Sequence, residues 1–464
     1  MRIPFSFFPA VLVVLRAGFG FGEGVAARSS EGGAFPVHIL EWQAQELSVE
    51  CRHEAAVPEA LDLATALSLA LRHNPSLAAC STEIRAREAA ALQAGLLPNP
   101  ELEGEMGNLG GSNELRSLEG TEMTVGISQR VEPAGKRRKR RVVAEHEKQL
   151  AAWDYQIKKL DILAATATAF IEVLVAQKQV ALNDELFDIA NKTASAVSEK
   201  AAAGKISPVE KSRALIELAA ARTDAAGAGR ELEAARRRLA GFWGADHAAF
   251  SHVEGELNGL STVPSEDSLK VLLPQNPDLA RRRTAIVRSK ARFSKARTEA
   301  VPDLTLRAGF KRSLETPDQT FMVGLSLPIP VFDRNRGGIK EARARMQKTK
   351  LEKEAAQIAL STALSDAWHH LAAAHAENVS LREEVLPAAI TTYESTELGY
   401  REGKFDFLQM LDAQRTLFLI RQRYLDSLEE CHLAAVEVER LTGMPVNNIV
   451  KKNSRSSDDK ETKK

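Results

Sequence analysis

Histidine and cysteine are the side chains in this chain best suited to bind a transition-metal ion, and their spacing does not predict a metal site. Two histidines that share one metal on a helix are four positions apart. The segment WHHLAAAH (368–375) instead separates its histidines by one, five and six positions. These histidines are His369, His370 and His375. We therefore expect no metal site and no cofactor.

The cysteines are far apart in the sequence and match neither a zinc motif nor a disulfide framework. They are Cys51, Cys80 and Cys431. The sequence also has no nucleophile elbow, no phosphate-binding glycine loop and no paired zinc ligands. We therefore expect a protein that is not an enzyme.

The strongest charge feature is the run KRRKRR at 136–141. Such a run can bind nucleic acid, but the chain carries 62 basic and 62 acidic residues, so no overall field favours a nucleic-acid partner. Residues 1–27 also read as a secretory signal peptide, with an early arginine, an apolar run and small residues at their end. We expect no nucleic-acid partner, and the cleavage position and any lipidation stay open.

Two pairs of short strands are predicted where apolar and polar residues alternate, at 99–132 and 302–331. The residues predicted to form one apolar face are Val125, Ile127, Leu304, Leu306, Val323 and Leu325. A hairpin on a soluble domain would show the same alternation, so the strands alone do not decide where this face lies.

Helices of about 60 residues, roughly 90 Å long, follow each predicted strand pair. Their richness in Ala, Glu, Lys and Leu is typical of long packed helices. A shorter helix is predicted over 60–96 and ends before Pro98, because proline stops a helix. A coiled-coil scaffold would explain the long helices, but it would not need strands at one end of each.

The chain reads as two similar halves. Short matches recur in the same order about 200 residues apart, among them NPSLAA at Asn74 and NPDLAR at Asn276, so we predict an internal duplication. The predicted boundaries are a signal peptide at 1–27, an N-terminal extension at 28–58, a first repeat at 59–262 with a helix–turn–helix at 135–241, a second repeat at 263–444 with a helix–turn–helix at 338–442, and a charged tail at 445–464.

Strands that cross a membrane must belong to a closed barrel, because unpaired backbone groups are not tolerated in hydrocarbon. Four predicted strands are too few, since the smallest bacterial barrels have about eight. If these strands cross a membrane, several copies of the chain must share one barrel. The apolar face would then contact lipid, and the basic run would lie where the chain leaves the membrane.

The order of these motifs resembles that of the TolC family of outer-membrane efflux proteins, most closely its heavy-metal branch of CusC and CzcC types. The resemblance runs from about Leu61 to Gly443. It is carried by the segments ALSLALRHNPSL, GLLPNPELEGEMGN, ISQRVEPAGKRR, VGLSLPIPVFDRNRG and GYREGKFDFLQMLDAQRTLFLIRQRYLDSL.

The resemblance implies a mainly α-helical fold with a small β part, in which long antiparallel helical hairpins form an α-barrel tunnel. Four strands per chain would contribute to a trimeric, 12-stranded transmembrane β-barrel. The implied location is the cell outer membrane, with the helices extending into the periplasm. The implied function is a passive exit duct of a tripartite efflux system for heavy-metal cations.

The implied partners are two further copies of the chain in a homotrimer, outer-membrane lipid, a periplasmic adaptor (membrane fusion protein) and an inner-membrane pump of the resistance-nodulation-division type. Two alternatives with the same fold stay open, an exit duct for type I protein secretion and one for drug efflux. A periplasmic coiled-coil adaptor or scaffold is the alternative from another class.

The resemblance also implies two sites at the helix turns. The turns at 201–208 and 400–407 would dock the adaptor, through Gly204, Lys205, Tyr400, Gly403 and Lys404. Acidic residues just after the turn glycines would narrow the periplasmic aperture. The aligned residues are Glu210, Gln409 and Asp412. Because Gln409 replaces an acid that the family often has, the sequence leaves open whether Glu210 or Asp412 gates the aperture.

Overall fold

The structure of the chain, a computed structural model, describes residues 57–107, 121–260, 262–313 and 318–444. The predicted signal peptide, the charged tail and most of the N-terminal extension lie outside these described residues. The described part is mainly helical with few strands. We call residues 57–260 the first half and residues 262–444 the second half.

The first half begins with strand β1 (Ala60–Leu61), helix α1 (Leu63–His73) and helix α2 (Pro75–Ala94). It continues with strands β2 (Glu101–Gly107) and β3 (Glu122–Val131), helices α3 (Lys136–Ala202) and α4 (Pro208–Gly241), and strand β4 (His252–Val253). The first and last strands, β1 and β4, pair in parallel.

The second half begins with helix α5 (Glu266–Lys270), a 3₁₀ turn (Leu273–Gln275) and helix α6 (Pro277–Glu299). It continues with strands β5 (Leu304–Ser313) and β6 (Gln319–Ser326), helix α7 (Arg336–Ser380), a π-helical turn (Leu381–Val385) and helices α8 (Leu386–Arg401) and α9 (Phe407–Thr442). In both halves a helix, a strand pair and a long helical hairpin therefore follow one another.

The prediction of one helix over 60–96 is wrong, because this segment forms two helices that meet at Asn74. A residue that precedes proline is disfavoured in the helical conformation, and Asn74 is extended, with φ −67° and ψ 119°. Its side-chain oxygen accepts hydrogen bonds from the backbone N–H groups of Ser76 and Leu77, at 2.9 and 3.1 Å, and so caps α2. Helix α2 then ends at Ala94, before the predicted stop at Pro98.

The long helix predicted to follow the second strand pair is interrupted by the π-helical turn Leu381–Val385. Pro387 explains the interruption, because a proline ring inside an α-helix clashes with the carbonyl four residues earlier and donates no hydrogen bond. The wider π turn makes room for the ring. The corresponding helix of the first half, α3, is continuous over 67 residues.

The largest buried core surrounds the middle of α3. Phe170 and Val173 of α3 belong to one buried cluster with Leu67 of α1, Leu239 of α4 and Val253 of β4. In the described part of the chain, α3 is the one helix long and apolar enough to be considered for crossing a membrane, and 72% of its apolar window is buried by the fold. Burial in the core of the helical body therefore explains why this stretch of α3 is apolar.

An asparagine anchors each half. The side-chain N–H of Asn74 donates to the carbonyl of Phe242, at 2.8 Å, just after α4. The side-chain N–H of Asn276 donates to the carbonyl of Leu441, also at 2.8 Å, near the end of α9. Both asparagines are buried. Each Asn-Pro motif therefore connects the start of the helix that it caps, α2 or α6, with the end of the last helix of the same half, α4 or α9.

Candidate functional site

The strands β2, β3, β5 and β6 form one antiparallel sheet in that order. The register brings the predicted apolar residues onto one face, because Ile127 pairs with Ala308, which pairs with Val323, and Leu306 pairs with Leu325. Leu304 is half-buried on this face, whereas Val323 is 88% exposed. An exposed apolar face of this kind marks a contact with membrane or protein.

The opposite face of the sheet is polar. Arg307 of β5 lies 3.5 Å from Glu103 of β2, across the intervening strand β3, and Lys311 of β5 lies 2.5 Å from Glu122 of the neighbouring strand β3. Alternation between an apolar and a polar face is typical of the strands of outer-membrane barrels, whose interior is polar. The sheet is therefore suited to separate lipid on one side from a water-filled passage on the other.

The two outer strands of the sheet, β2 and β6, have no partner on their free sides within the described residues. A free edge presents unpaired backbone N–H and C=O groups, which readily pair with a strand of another chain. The central strands β3 and β5 have 10 residues each, close to the 9–11 residues or so that a tilted membrane strand needs. Length, faces and edges thus agree with one segment of a shared barrel.

Aromatic residues lie toward both ends of the apolar face. Phe310 and Phe321 pack together with ring centroids 4.4 Å apart. Phe332, after the end of β6, is 100% exposed. Outer-membrane strands carry aromatic residues at both membrane interfaces. Phe332 follows a proline-rich segment beyond the alternating pattern, so strand alternation does not identify it.

The junctions between strands and helices are fixed by polar contacts. Lys136 lies 2.6 Å from Asp303, and Arg140 forms an ion pair with Glu132. The hydrogen bond that Arg140 donates to the Glu132 carboxylate raises the pKa of the Arg140 guanidinium further above its ordinary value. The side-chain N–H of Asn335 donates to the carbonyl of Ala296, at 2.7 Å. The first two contacts tie the first turns of α3 to the base of the sheet, and the third ties the start of α7 to the end of α6.

The first helical turn, between α3 and α4, is closed by a Schellman motif. Gly204 has φ +69° and its N–H donates to the carbonyl of Ala201, while the N–H of Lys205 donates to the carbonyl of Lys200 at 2.9 Å. Glycine is suited to this position because other residues rarely adopt positive φ. The turn leaves Lys205 exposed.

The second helical turn, between α8 and α9, has the same hydrogen bonds. Gly403 has φ +76° and donates to the carbonyl of Tyr400, while Lys404 donates to the carbonyl of Gly399 at 2.8 Å. The two turns lie together, because the Lys200 ammonium is 4.9 Å from the centre of the Tyr400 ring. The predicted docking residues of both turns therefore share one end of the molecule.

The predicted aperture residues follow these turns but are not equivalent. Glu210 is half-buried in the first turn of α4, and Asp412 is exposed on α9. Within the described residues neither carboxylate has an ion-pair partner. Gln409 is engaged elsewhere, since its side chain accepts from the N–H of Asp406 at 3.0 Å while Asp406 accepts from the N–H of Gln409. This capping box fixes the start of α9.

Two histidines and a tryptophan contact the backbone on either side of the boundary between the two halves. His375 donates through Nε2 to the carbonyl of Leu260, at 3.0 Å, and Trp368 donates to the carbonyl of Pro264, at 2.8 Å. His432 donates in the same way to Asn258, at 3.0 Å. No group of three or more histidine, cysteine or acidic side chains is arranged for a metal in the part of the chain that the structure describes.

The family model described as outer membrane efflux protein matches residues 66–245 and again residues 269–444. The chain is 35% identical over 390 residues to the cobalt-zinc-cadmium resistance protein CzcC of Cupriavidus metallidurans, covering 84% of this chain and 91% of that protein. It is 26% identical to the nickel-cobalt-cadmium resistance protein NccC of Alcaligenes xylosoxydans xylosoxydans, covering 64% of this chain and 69% of that protein.

The fold is similar to that of the outer membrane protein VceC of Vibrio cholerae, with a TM-score of 0.70 at 18% identity, covering 82% of this chain and 96% of that one. The two-faced sheet, the long hairpins and the family match over most of the described residues agree with one another. The chain therefore belongs to the outer membrane efflux protein family, the TolC-type channels of the outer membrane that extend into the periplasm.

Proposed function

We propose that the chain is one subunit of a homotrimeric exit duct in a tripartite efflux system for heavy-metal cations. The observation that carries this proposal is the four-stranded sheet with one exposed apolar face and two free edges. Three copies would supply twelve strands, and pairing β6 of each copy with β2 of the next would leave no edge exposed to hydrocarbon.

The helical hairpins support the periplasmic part of the proposal. A helix of 67 residues such as α3 is about 100 Å long. In a trimer the hairpins would line a tunnel that leads from the sheet to the turns at 203–207 and 402–406. These turns, with Lys205 and Lys404 exposed, are the surface we propose for the periplasmic adaptor, which connects the duct to an inner-membrane pump of the resistance-nodulation-division type.

The aperture is proposed to lie just inside these turns. Three symmetry-related carboxylates around one axis attract cations and repel each other, which narrows a pore and makes it cation-selective. We place Asp412 in this ring, because it is exposed and has no ion-pair partner among the described residues. Gln409 is left out, because its side chain caps α9.

Heavy-metal cations are the proposed substrates because the chain is similar to proteins whose names describe resistance to cobalt, zinc, cadmium and nickel. The duct itself would be unselective among these ions, since no group of metal ligands is present in the described residues. Substrate choice would then belong to the pump. We also propose that the two halves arose by duplication, which the two separate matches of one family model support.

The proposal is tested by purifying the full chain from outer membranes in detergent and measuring its mass and its conductance in a planar bilayer. We expect three chains per particle and cation-selective channels. Extraction without detergent, or a particle with a single chain, would instead support a periplasmic scaffold. Loss of cobalt, zinc and cadmium resistance on deletion of the gene in its host would support metal export over protein or drug export.

A further inference from the structure

Six exposed basic side chains surround the two junctions where the sheet passes into the helices. They are Arg137, Arg138, Arg141, Arg334, Arg336 and Lys340, and we call them the basic collar. Within the described residues, none of the six lies within 4.0 Å of a carboxylate. Three of them belong to the first two turns of α3. Of the other three, Arg334 precedes α7, Arg336 is its first residue and Lys340 lies in its second turn.

The carboxylates at these junctions are already engaged. Asp303 is bound by Lys136, and Glu132 is bound by Arg140. Asp333 accepts a hydrogen bond from the backbone N–H of Asn335, at 2.8 Å. The chain as a whole is neutral, with 62 basic and 62 acidic residues, so the positive charge of the collar is a local concentration that the fold leaves unpaired.

The collar directly adjoins the apolar face of the sheet. Helix α3 begins shortly after the pair formed by Val131 and Leu304, the last row of that face. Between β6 and α7 the chain exposes Ile329 and Phe332, which are apolar. An apolar surface bordered by an aromatic side chain and then by basic residues is the arrangement of a membrane interface.

We propose that the basic collar binds the phosphate groups of anionic phospholipids in the leaflet of the outer membrane that faces the periplasm. This inference rests on the proposed function, in which the sheet crosses the membrane and the helices extend into the periplasm. The neighbouring apolar residues hold the collar at the depth of the headgroups. There each basic residue adds about fivefold to the attraction for an anionic lipid surface, and arginine matches the phosphate geometry.

The test uses the full-length protein in a non-ionic detergent. It is titrated with phosphatidylglycerol or with phosphatidylcholine, and the bound lipids are counted by native mass spectrometry. We expect the wild type to prefer phosphatidylglycerol, and this preference to fall as salt is raised. The triple variant Arg137→Gln/Arg138→Gln/Arg141→Gln should lose at least about tenfold in its affinity for phosphatidylglycerol, with little change for phosphatidylcholine.

A matched control removes the same charge elsewhere. Lys192, Lys211 and Arg230 are exposed on the hairpin of α3 and α4, and we expect their triple change to Gln to leave the affinity for phosphatidylglycerol unchanged. If the first variant fails to assemble, Arg334→Gln/Arg336→Gln/Lys340→Gln tests the other junction, with an expected loss of similar size.

Three results would overturn the proposal: unchanged affinity for phosphatidylglycerol in both collar variants, an equal loss in the control variant, or displacement of the lipid by millimolar inorganic phosphate. The last result would indicate a site for free anions. Failure of the proposed function looks different, because the wild type would then form no channels in a bilayer. A wild type that conducts but shows no preference for phosphatidylglycerol contradicts the collar alone.

Discussion

The two halves of the molecule share their anchors and turn geometry but differ in how each long hairpin is held. Both contain a buried asparagine before proline, and both close the hairpin with a Schellman motif. The first half runs through one continuous helix, α3, to its turn. The second half reaches its turn through a π-helical break and then fixes it with a capping box. A few residues thus set the anchors and turns that the two halves share, and the halves differ in the helices that lead to the turns.

A second difference concerns the side chains at the turns. In the second half Phe405 packs against Gly399, where an added Cβ would lie 2.2 Å from the ring. At the matching position of the first half stands Lys200, whose side chain extends over Tyr400. The first turn is therefore held by a cation–π contact to its neighbour, and the second by close packing of a ring on its own helix.

The largest expected effect is on stability, and it tests the asparagine anchor that the two halves share. Replacing Asn74 or Asn276 by Ala removes a helix cap and leaves a carbonyl without its partner, so each variant should lose about 2–4 kcal/mol in the free energy of unfolding. Guanidinium unfolding in detergent, followed by circular dichroism, measures this loss. The exposed residue Asn191 is the control, and Asn191→Ala should change stability by less than about 0.5 kcal/mol. A large loss in one half and none in the other would contradict a shared anchor.

The next effect tests the difference between the turns. Gly399→Ala should displace the Phe405 ring, which costs about 1 kcal/mol of packing that the better helix propensity of alanine partly offsets. The clearer readout is limited proteolysis at 402–406, which should become severalfold faster. Lys200→Ala in the first turn should leave that rate unchanged. Equal cleavage in Gly399→Ala and wild type would show that the ring does not hold the turn.

A third effect depends on pH and separates the contribution of His432 from that of Gln177, both of which bind the backbone of residues 252–260. Burial lowers the pKa of His432 below its ordinary value, so the unfolded chain takes up a proton first as the pH falls. The stability that His432 contributes is complete above about pH 6.5 and is lost below it. Hydrogen exchange at 254–260, corrected for its intrinsic pH dependence, should therefore show weaker protection at pH 5.5 than at pH 7.5.

Gln177 supplies the matched control for this effect. Its side chain binds the backbone of Val253, donating to the carbonyl at 3.1 Å and accepting from the N–H at 2.7 Å, and it does not titrate in this range. Protection at 252–253 should thus not vary with pH. His432→Gln should abolish the pH dependence at 254–260. If that variant keeps it, another group is responsible.

The smallest effect on stability is expected at the proposed aperture. Asp412 is exposed, so Asp412→Ala should change the free energy of unfolding by less than about 0.5 kcal/mol. In a planar bilayer, however, the closed channel should become leakier and less cation-selective. Gln409→Ala should weaken the start of α9 without changing ion selectivity. Unchanged conductance and selectivity in Asp412→Ala would exclude it from the aperture and leave Glu210 as the candidate.

The sequence was informative where a local pattern determines structure. Alternation predicted which strand residues share a face, because side chains of a strand point to opposite sides in turn. The glycines at 204 and 403 marked the helical turns, because those positions require positive φ. The Asn-Pro motifs were recognised as a repeat, but the break at Asn74 was missed, although a residue before proline is disfavoured in the helical conformation.

Other features depend on residues far apart in the chain and could not be read from sequence. The contact between His375 and Leu260 joins positions separated by 115 residues, so the histidines were examined only as metal ligands. The role of Gln409 in a cap was overlooked because alignment on the turn glycine suggested an aperture position. The pairing of Lys136 with Asp303 and of Arg140 with Glu132 decides which basic residues are left free, and no spacing rule predicts it.

The two free edges of the sheet have a consequence for biosynthesis. In the proposed trimer, the last backbone hydrogen bonds of β2 and β6 are formed with other molecules, so a newly exported chain cannot complete its own fold. Completion then depends on how many chains are present, and its rate should slow on dilution in a way that no stabilising substitution within one chain can remedy. A defective chain that still pairs through one of its two edges would hold two functional chains in an incomplete trimer.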